Sequence, residues 1–222
     1  MRRRVLVVAP HADDEVLGVG GTMARLAGEG DEVHIVVLTV GRPPAFDEAF
    51  ERQGKQEALA AHRLLGVADT TFLDLPAAAL DTIPHRDVNA ELGAVVARLH
   101  PQVIFTPFAG DIHLDHQLAF LSTLVVTRPN GRFAPQSIYA YETLSETHWS
   151  VPYLMPNFAP NTFIDISPHL ETKIAAMQAF TLQTKPFPHA RSAEALRALA
   201  ALRGSTVGCA AAESFVLLRQ EL

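Results

Sequence analysis

The 222-residue chain has a single cysteine, Cys209, so an internal disulfide is excluded, as is any cysteine-rich zinc site. Positive charge is also scarce. Lys and Arg total 18 against 24 Asp and Glu, and the net charge of −6 leaves no basic footprint for nucleic acid. Long apolar runs are missing as well. The longest, such as "LAFLSTLVV", fall far short of the ~18 residues of a membrane helix. The start, "MRRRVLVVAP", is basic like a secretory leader, but its apolar run from Val5 to Ala9 is too short for one and no cleavage pattern follows. A cytoplasmic protein is therefore expected. Hydrophobic content of 48% with 19% charged residues is that of a globular chain, not a disordered one.

What the chain does contain is alternation. "RVLVVA", "EVHIVVLTV", "TTFLDLP" and "QVIFTPF" are short β-branched or apolar runs of the kind buried on both faces of a sheet. Helical stretches lie between them. "GTMARLAGEG" closes at Gly28 or Gly30, "EAFERQGKQEALAAHRLLGV" stops at Gly66, and "DVNAELGAVVARLHP" ends at Pro101. In the second, Phe50, Ala58, Ala61, Leu64 and Leu65 fall near one face. Alternating strand and helix predicts an α/β fold with a mostly parallel sheet and helices on both faces. After "RPNGRFAP" the pattern loosens. "SIYAYET" and "TFIDIS" read as strands, "HLETKIAAMQAFTLQT" and "SAEALRALAALRG" as helices. No low-complexity linker or internal repeat divides the chain, so residues 1–222 are expected to form one domain.

Chemistry concentrates at two strand ends. "APHADDEVLGVGG" follows the first strand and puts His11, Asp13, Asp14 and Glu15 together; "DIHLDH" follows the fourth and brings His113, Asp115 and His116. In open α/β sheets ligands bind outside the carboxyl ends of strands. Buried charge is costly unless paired or bound to metal, so a cation is expected between these groups. His11 and Asp14 are three apart, as are His113 and His116, a spacing that turns both members of a pair the same way on a helix. Two imidazoles and one carboxylate can hold zinc and leave a coordination position open. Glu15 is expected to act as a first-turn residue and not as a ligand. The histidines at 34, 62, 85, 100, 148, 169 and 189 are read as surface or satisfied core residues.

"GVGG", Gly18 to Gly21, does not complete a dinucleotide fingerprint: Met23 stands where the last glycine belongs, and the second strand ends without an acid. Close helix–sheet packing explains these glycines better. A His/Asp/His set also suits non-haem iron(II) oxygenases, although those use a His-x-Asp spacing on a β scaffold. A non-catalytic sugar- or nucleotide-binding domain is the other alternative.

The first motif resembles the Pro-His-Pro-Asp-Asp-Glu signature of the PIG-L/LmbE-like zinc N-deacetylases, and "DIHLDH" is similar to that family's His-Pro-Asp-His. Looser matches follow in order: "EALAAHRLLGV", "YAYET", "FIDIS" and "ALRGSTVGCAAAESF". Ala12 and Leu114 replace the usual prolines, neither a reacting group. The resemblance implies a Rossmann-like three-layer αβα fold, with His11, Asp14 and His116 holding one Zn²⁺ (Fe²⁺ being a second candidate). It implies Asp13 as general base toward the attacking water, and a protonated His113 that stabilises the oxyanion or protonates the leaving amine. Asp115 would orient His113 and favour its charge. The implied substrate is a small N-acetylated sugar conjugate of N-acetylglucosamine type; association into a homo-oligomer is compatible with it. "GRPPAFDEAFERQ" and "SVPYLMPNFAPNT" are candidate substrate loops, and Arg52 is expected to be a solvated helix charge.

Overall fold

A computed structural model describes residues 2–221. Strand β1 (Arg4–Ala9) leads into helix α1 (Asp14–Gly28), β2 (Glu32–Val40) into α2 (Glu48–Leu64), and β3 (Asp69–Pro76) into α3 (His85–Leu99). Strand β4 (Val103–Pro107) leads into α4 (Leu114–Val126). The remainder is β5 (Ser137–Tyr141), β6 (Thr162–Asp165), α5 (Leu170–Gln178), α6 (Ala193–Val207) and β7 (Ala212–Gln220). The sheet order is β3-β2-β1-β4-β5-β7-β6; the first five strands run parallel, and β7 is antiparallel to both of its neighbours.

The two faces sort by side-chain parity, as strand geometry requires. Val5, Val7 and Ala9 point into a core shared with α1, α2 and α5; Leu6 and Val8 point into a second core with Leu92, Val95 and Val96 of α3 and Ala119 of α4. Helices thus cover both faces, the predicted three-layer arrangement. The glycines of α1 serve packing. A Cβ on Gly18 would lie 2.2 Å from the Tyr141 ring, and one on Gly21 2.7 Å from Ile166. Gly66, at φ +72, takes the left-handed turn after α2 that a side chain would resist. Among the described residues no helix is long and apolar enough to cross a membrane.

Two features differ from the sequence expectation. Leu64 does not join the buried face of α2: it is 52% exposed while Leu65 is buried. Consecutive helical residues point about 100° apart, so only one of the pair can face the sheet. Strand β7 is an addition to the expected elements. It lacks the punctuation of the earlier strands and ends in "LLRQ", half-exposed residues that break the apolar pattern.

Two buried charged groups lock the later elements to the earlier ones. Lys173 of α5 donates to the Leu17 carbonyl (2.7 Å) and to Glu213 of β7 (2.5 Å), while Glu213 also accepts the amides of Gly21 (2.9 Å) and Thr22 (2.7 Å). Glu142, just after β5, accepts two hydrogen bonds from Arg203 of α6 (2.8 and 2.6 Å) and one from Ser214 (2.7 Å). Together with His148, 3.1 Å away, those partners hold its carboxyl down at about 2 despite burial.

Candidate active site

Strand β1 sits where the chain reverses its direction of sheet growth, with β2 on one side and β4 on the other. The exits of β1 and β4 therefore open onto one crevice. The β1 exit carries His11, Asp13 and Asp14; the β4 exit carries Asp111, His113, Asp115 and His116. Parallel pairing of Val5–Val7 with Val103–Phe105 brings the two loops side by side.

His11, Asp14 and His116 converge. One ligand atom from each lies within 4.8 Å of the others, and Asp14 Oδ2 stands 3.2 Å from His11 Nδ1 and 3.1 Å from His116 Nε2. Each imidazole has a carboxylate on its far side. His116 Nδ1 meets Asp111 Oδ2 at 2.8 Å, and His11 Nε2 meets Asp115 Oδ2 at 3.0 Å. A carboxylate there holds the proton on the outer nitrogen and leaves the inner lone pair free for a cation. Asp14 Oδ1 and His116 Nε2 are buried without a hydrogen-bond partner. Buried polar atoms left open in this way mark a missing ligand.

The electrostatics point the same way. Burial opposes charge on both rings, but Asp115 and Asp14 lift His11 to about 9, and Asp14 and Asp111 lift His116 to about 10. Asp14 is driven well below the carboxylate range, since the two rings outweigh its burial. The cluster demands positive charge at its centre.

A second set, His11, His113 and Asp115, also lies within reach of a single ion. Its donors are already engaged. The Asp115 carboxylate accepts the amides of Ala78 (2.8 Å) and Leu80 (3.2 Å) besides the His11 ring, and the Asp115 amide donates to His113 Nδ1 (3.1 Å). This corrects the expected partnership. Asp115 orients His113 through its main-chain N–H, not its carboxylate, because the carboxylate is committed to His11 and to the loop after β3. Burial and the neighbouring His11 lower the His113 pKa, with Asp115 opposing them only in part. With Nδ1 accepting, the ring proton of neutral His113 resides on Nε2.

Asp13 points to another side of the turn. It is buried, its backbone is in the left-handed half of conformational space (φ +128), and its carboxylate lies 2.9 Å from Arg191. Such strain persists only where the surroundings impose it. Here Glu15 accepts the Asp13 amide at 3.1 Å, and Glu15 is itself fixed by His62 (2.9 Å), whose other nitrogen meets Thr70 (2.8 Å). Burial, Asp14 and Glu15 together overcome Arg191 and raise Asp13 to about 8. His62 is thus a satisfied core histidine, and Glu15 supports the turn.

Beside these groups lies a cavity of about 250 Å³ whose lining brings His11, Asp13 and His113 together with Phe46, Phe50 and Phe72, and with Glu51, Lys55 and Gln183. The loop "GRPPAFDEAFERQ" supplies Phe46 and Phe50. "SVPYLMPNFAPNT" does not reach the cavity; its Phe158 packs edge-on against Phe108, centroids 5.1 Å apart. Arg52 is solvated, 3.7 Å from Glu48. Two further residues join the site. Asp111 lies inside the motif "DIHLDH", whose other acid and histidines drew the attention. Arg191, in "PHARS", carries no local signal and reaches Asp13 only through the fold.

Comparison with known proteins places the chain among characterised families. The family described as GlcNAc-PI de-N-acetylase (PIG-L) matches residues 6–126, which include both motifs. A 1D-myo-inositol 2-acetamido-2-deoxy-alpha-D-glucopyranoside deacetylase of Mycobacteroides abscessus is 31% identical, over 99% of this chain and 93% of its own. The conserved protein TT1542 of Thermus thermophilus superposes with a TM-score of 0.80 at 28% identity, covering 99% of this chain and 96% of its own. In fold alone, an N,N'-diacetylchitobiose deacetylase from Pyrococcus horikoshii is similar at TM-score 0.78 and 24% identity, over 97% and 84% of the two chains.

Proposed function

The chain belongs to the PIG-L family of deacetylases, and from that premise we propose that it is a zinc-dependent hydrolase that removes the N-acetyl group from an N-acetylglucosamine-type sugar conjugate. The observation that carries the metal reading is the convergence of His11, Asp14 and His116, in which the buried Asp14 Oδ1 and His116 Nε2 make no hydrogen bond. His11, Asp14 and His116 would hold the ion. When bound, zinc polarises the amide carbonyl and brings the pKa of water to near 7.

The chain's own groups do the rest. Asp13 accepts a proton from the attacking water at its carboxylate, which burial keeps close to neutral affinity. Arg191, 2.9 Å away, aims that carboxylate and offsets part of the cost of its charge. His113, its Nδ1 occupied by the Asp115 amide, donates a hydrogen bond from Nε2 to the carbonyl oxygen as negative charge develops there, and Asp13 passes the proton it has taken on to the departing amine. Asp111 and Asp115 fix the two ligand imidazoles. The products are acetate and the free amino sugar.

This reading places the protein in the cytoplasm as a one-domain enzyme acting on a small molecule. Asp13 and His113 both line the cavity, which a purely binding domain does not need. Metal analysis of the purified protein with acetate release from N-acetylglucosamine conjugates tests the proposal. One equivalent of zinc with steady acetate release is expected. Iron as the activating ion would replace the metal, and a metal-loaded protein that releases no acetate would end the deacetylase reading.

A further inference from the structure

The cavity beside the proposed catalytic groups carries three phenyl rings in its lining. Phe46 and Phe50 are stacked, 5.2 Å between centroids at 28°, and Phe72 of β3 faces the same space. Lys55 stands 5.6 Å over the Phe72 ring, but its ammonium is already held by Asp74 (2.7 Å) and Glu51 (3.2 Å). It is not a free cation awaiting an anionic group. One turn beyond Phe50 along α2, Gly54 also lines the cavity, and a Cβ built there would meet nothing within 4 Å.

Three phenyl rings in the lining gain most by burying apolar area, and a hydroxyl set against them instead of against Glu51, Gln183 or Arg191 loses its water without a partner. A pocket that joins reacting polar groups to phenyl rings selects a substrate with both a polar and an apolar part. We propose that this aromatic part of the lining is an aglycone site: the amino-sugar conjugate this enzyme takes carries an apolar aryl or alkyl group, packed on Phe46, Phe50 and Phe72 while the amide sits at His11, Asp13 and His113. The inference rests on the deacetylase reading for its reacting groups and on the cavity lining for its selectivity. The amine side of the substrate is assigned to the cavity because an acetyl methyl needs only a small part of about 250 Å³.

The test compares binding of two product amines, phenyl and methyl 2-amino-2-deoxy-β-D-glucopyranoside, to the zinc-loaded protein by titration calorimetry. Neither amine can be turned over, so affinity is read independently of activity. The phenyl glycoside is expected to bind at least tenfold more tightly. That preference is expected to shrink to within threefold in Phe50→Ala. It should shrink likewise in Gly54→Leu, a change the helix favours and that fills the cavity. Acetate release from the N-acetyl counterparts should follow the same order. Equal affinities, or no detectable binding of either amine, would overturn the aglycone site. So would faster hydrolysis of an N-hexanoyl than an N-acetyl amide on the same methyl glycoside, which would make the cavity an acyl pocket. A tenfold phenyl preference with no acetate release would support the site and defeat the deacetylase reading instead.

Discussion

Two of the buried charged clusters among the described residues are built on opposite plans. Around Lys173 and Glu213 the strong donors and acceptors meet partners within the chain, two of them main-chain amides of α1. Around Asp14 and His116 the partners stop one atom short, leaving Asp14 Oδ1 and His116 Nε2 open at full burial. A closed cluster is a fastening, since its whole energy is realised on folding. An open one is a cost the fold sustains because something else completes it. Charged groups equally buried thus play different parts here: those around Lys173 close within the chain, and those around Asp14 and His116 do not.

The sharpest way to break this distinction is Asp13→Asn. Replacing the strained, half-paired base is expected to lower kcat by ~10²–10⁴-fold with little change in thermal midpoint or metal content. A variant that unfolds instead would place Asp13 with the fastenings. The converse is Lys173→Met, which leaves Glu213 buried and unpaired and should cost ~3–5 kcal/mol in urea unfolding, with the folded fraction keeping its zinc. Loss of zinc without loss of stability would reverse the assignment. A smaller effect separates the ligands from their supports. Asp111→Asn removes the anion behind His116 and is expected to weaken zinc affinity ~10–100-fold by competitive chelation, with the fold intact. Unchanged affinity would show that Thr147 and the loop, not His116, are what Asp111 serves.

The remaining effect is in acid. Glu142 titrates at about 2 in the folded protein against an ordinary value of 4.5, so between those pH values the unfolded chain binds the extra proton. Its contribution is complete above about 4.5 and disappears as the pH falls toward 2, with a slope of at most ~1.4 kcal/mol per pH unit. Glu142→Gln should flatten that part of the stability profile. An unaltered slope would mean that Arg203 and Ser214 do not close this group as tightly as their distances indicate.

The parallel half of the fold was legible because its strands are buried on both faces and separated by helices with clear stops, so each element announces itself locally. His11, Asp14 and His116 were legible for a related reason: each lies in the strand-to-helix segment or first helical turn after a strand, and the sheet brings strand ends together. Strand β7 was not, since half of its side chains face outward and its position between β5 and β6 follows from no neighbour in sequence. Arg191 shares that difficulty, its partner Asp13 being set by tertiary packing. Asp115 was expected to orient His113; its carboxylate meets the His11 ring, and its main-chain amide reaches His113. Short motifs specify which residues meet, whereas the hydrogen bond each carboxylate makes depends on the loop after β3, which supplies the Ala78 and Leu80 amides.

The sheet order also has a consequence for how the molecule is made. A ribosome delivers β6 well before β7, yet β7 is the strand that pairs with β6 and links it to β5. Until residues 212–220 emerge, β5 therefore presents an unpaired edge and β6 has no sheet to join. During that interval Lys173 waits without Glu213, and the nascent chain carries an exposed template for strand pairing with its neighbours on the same message.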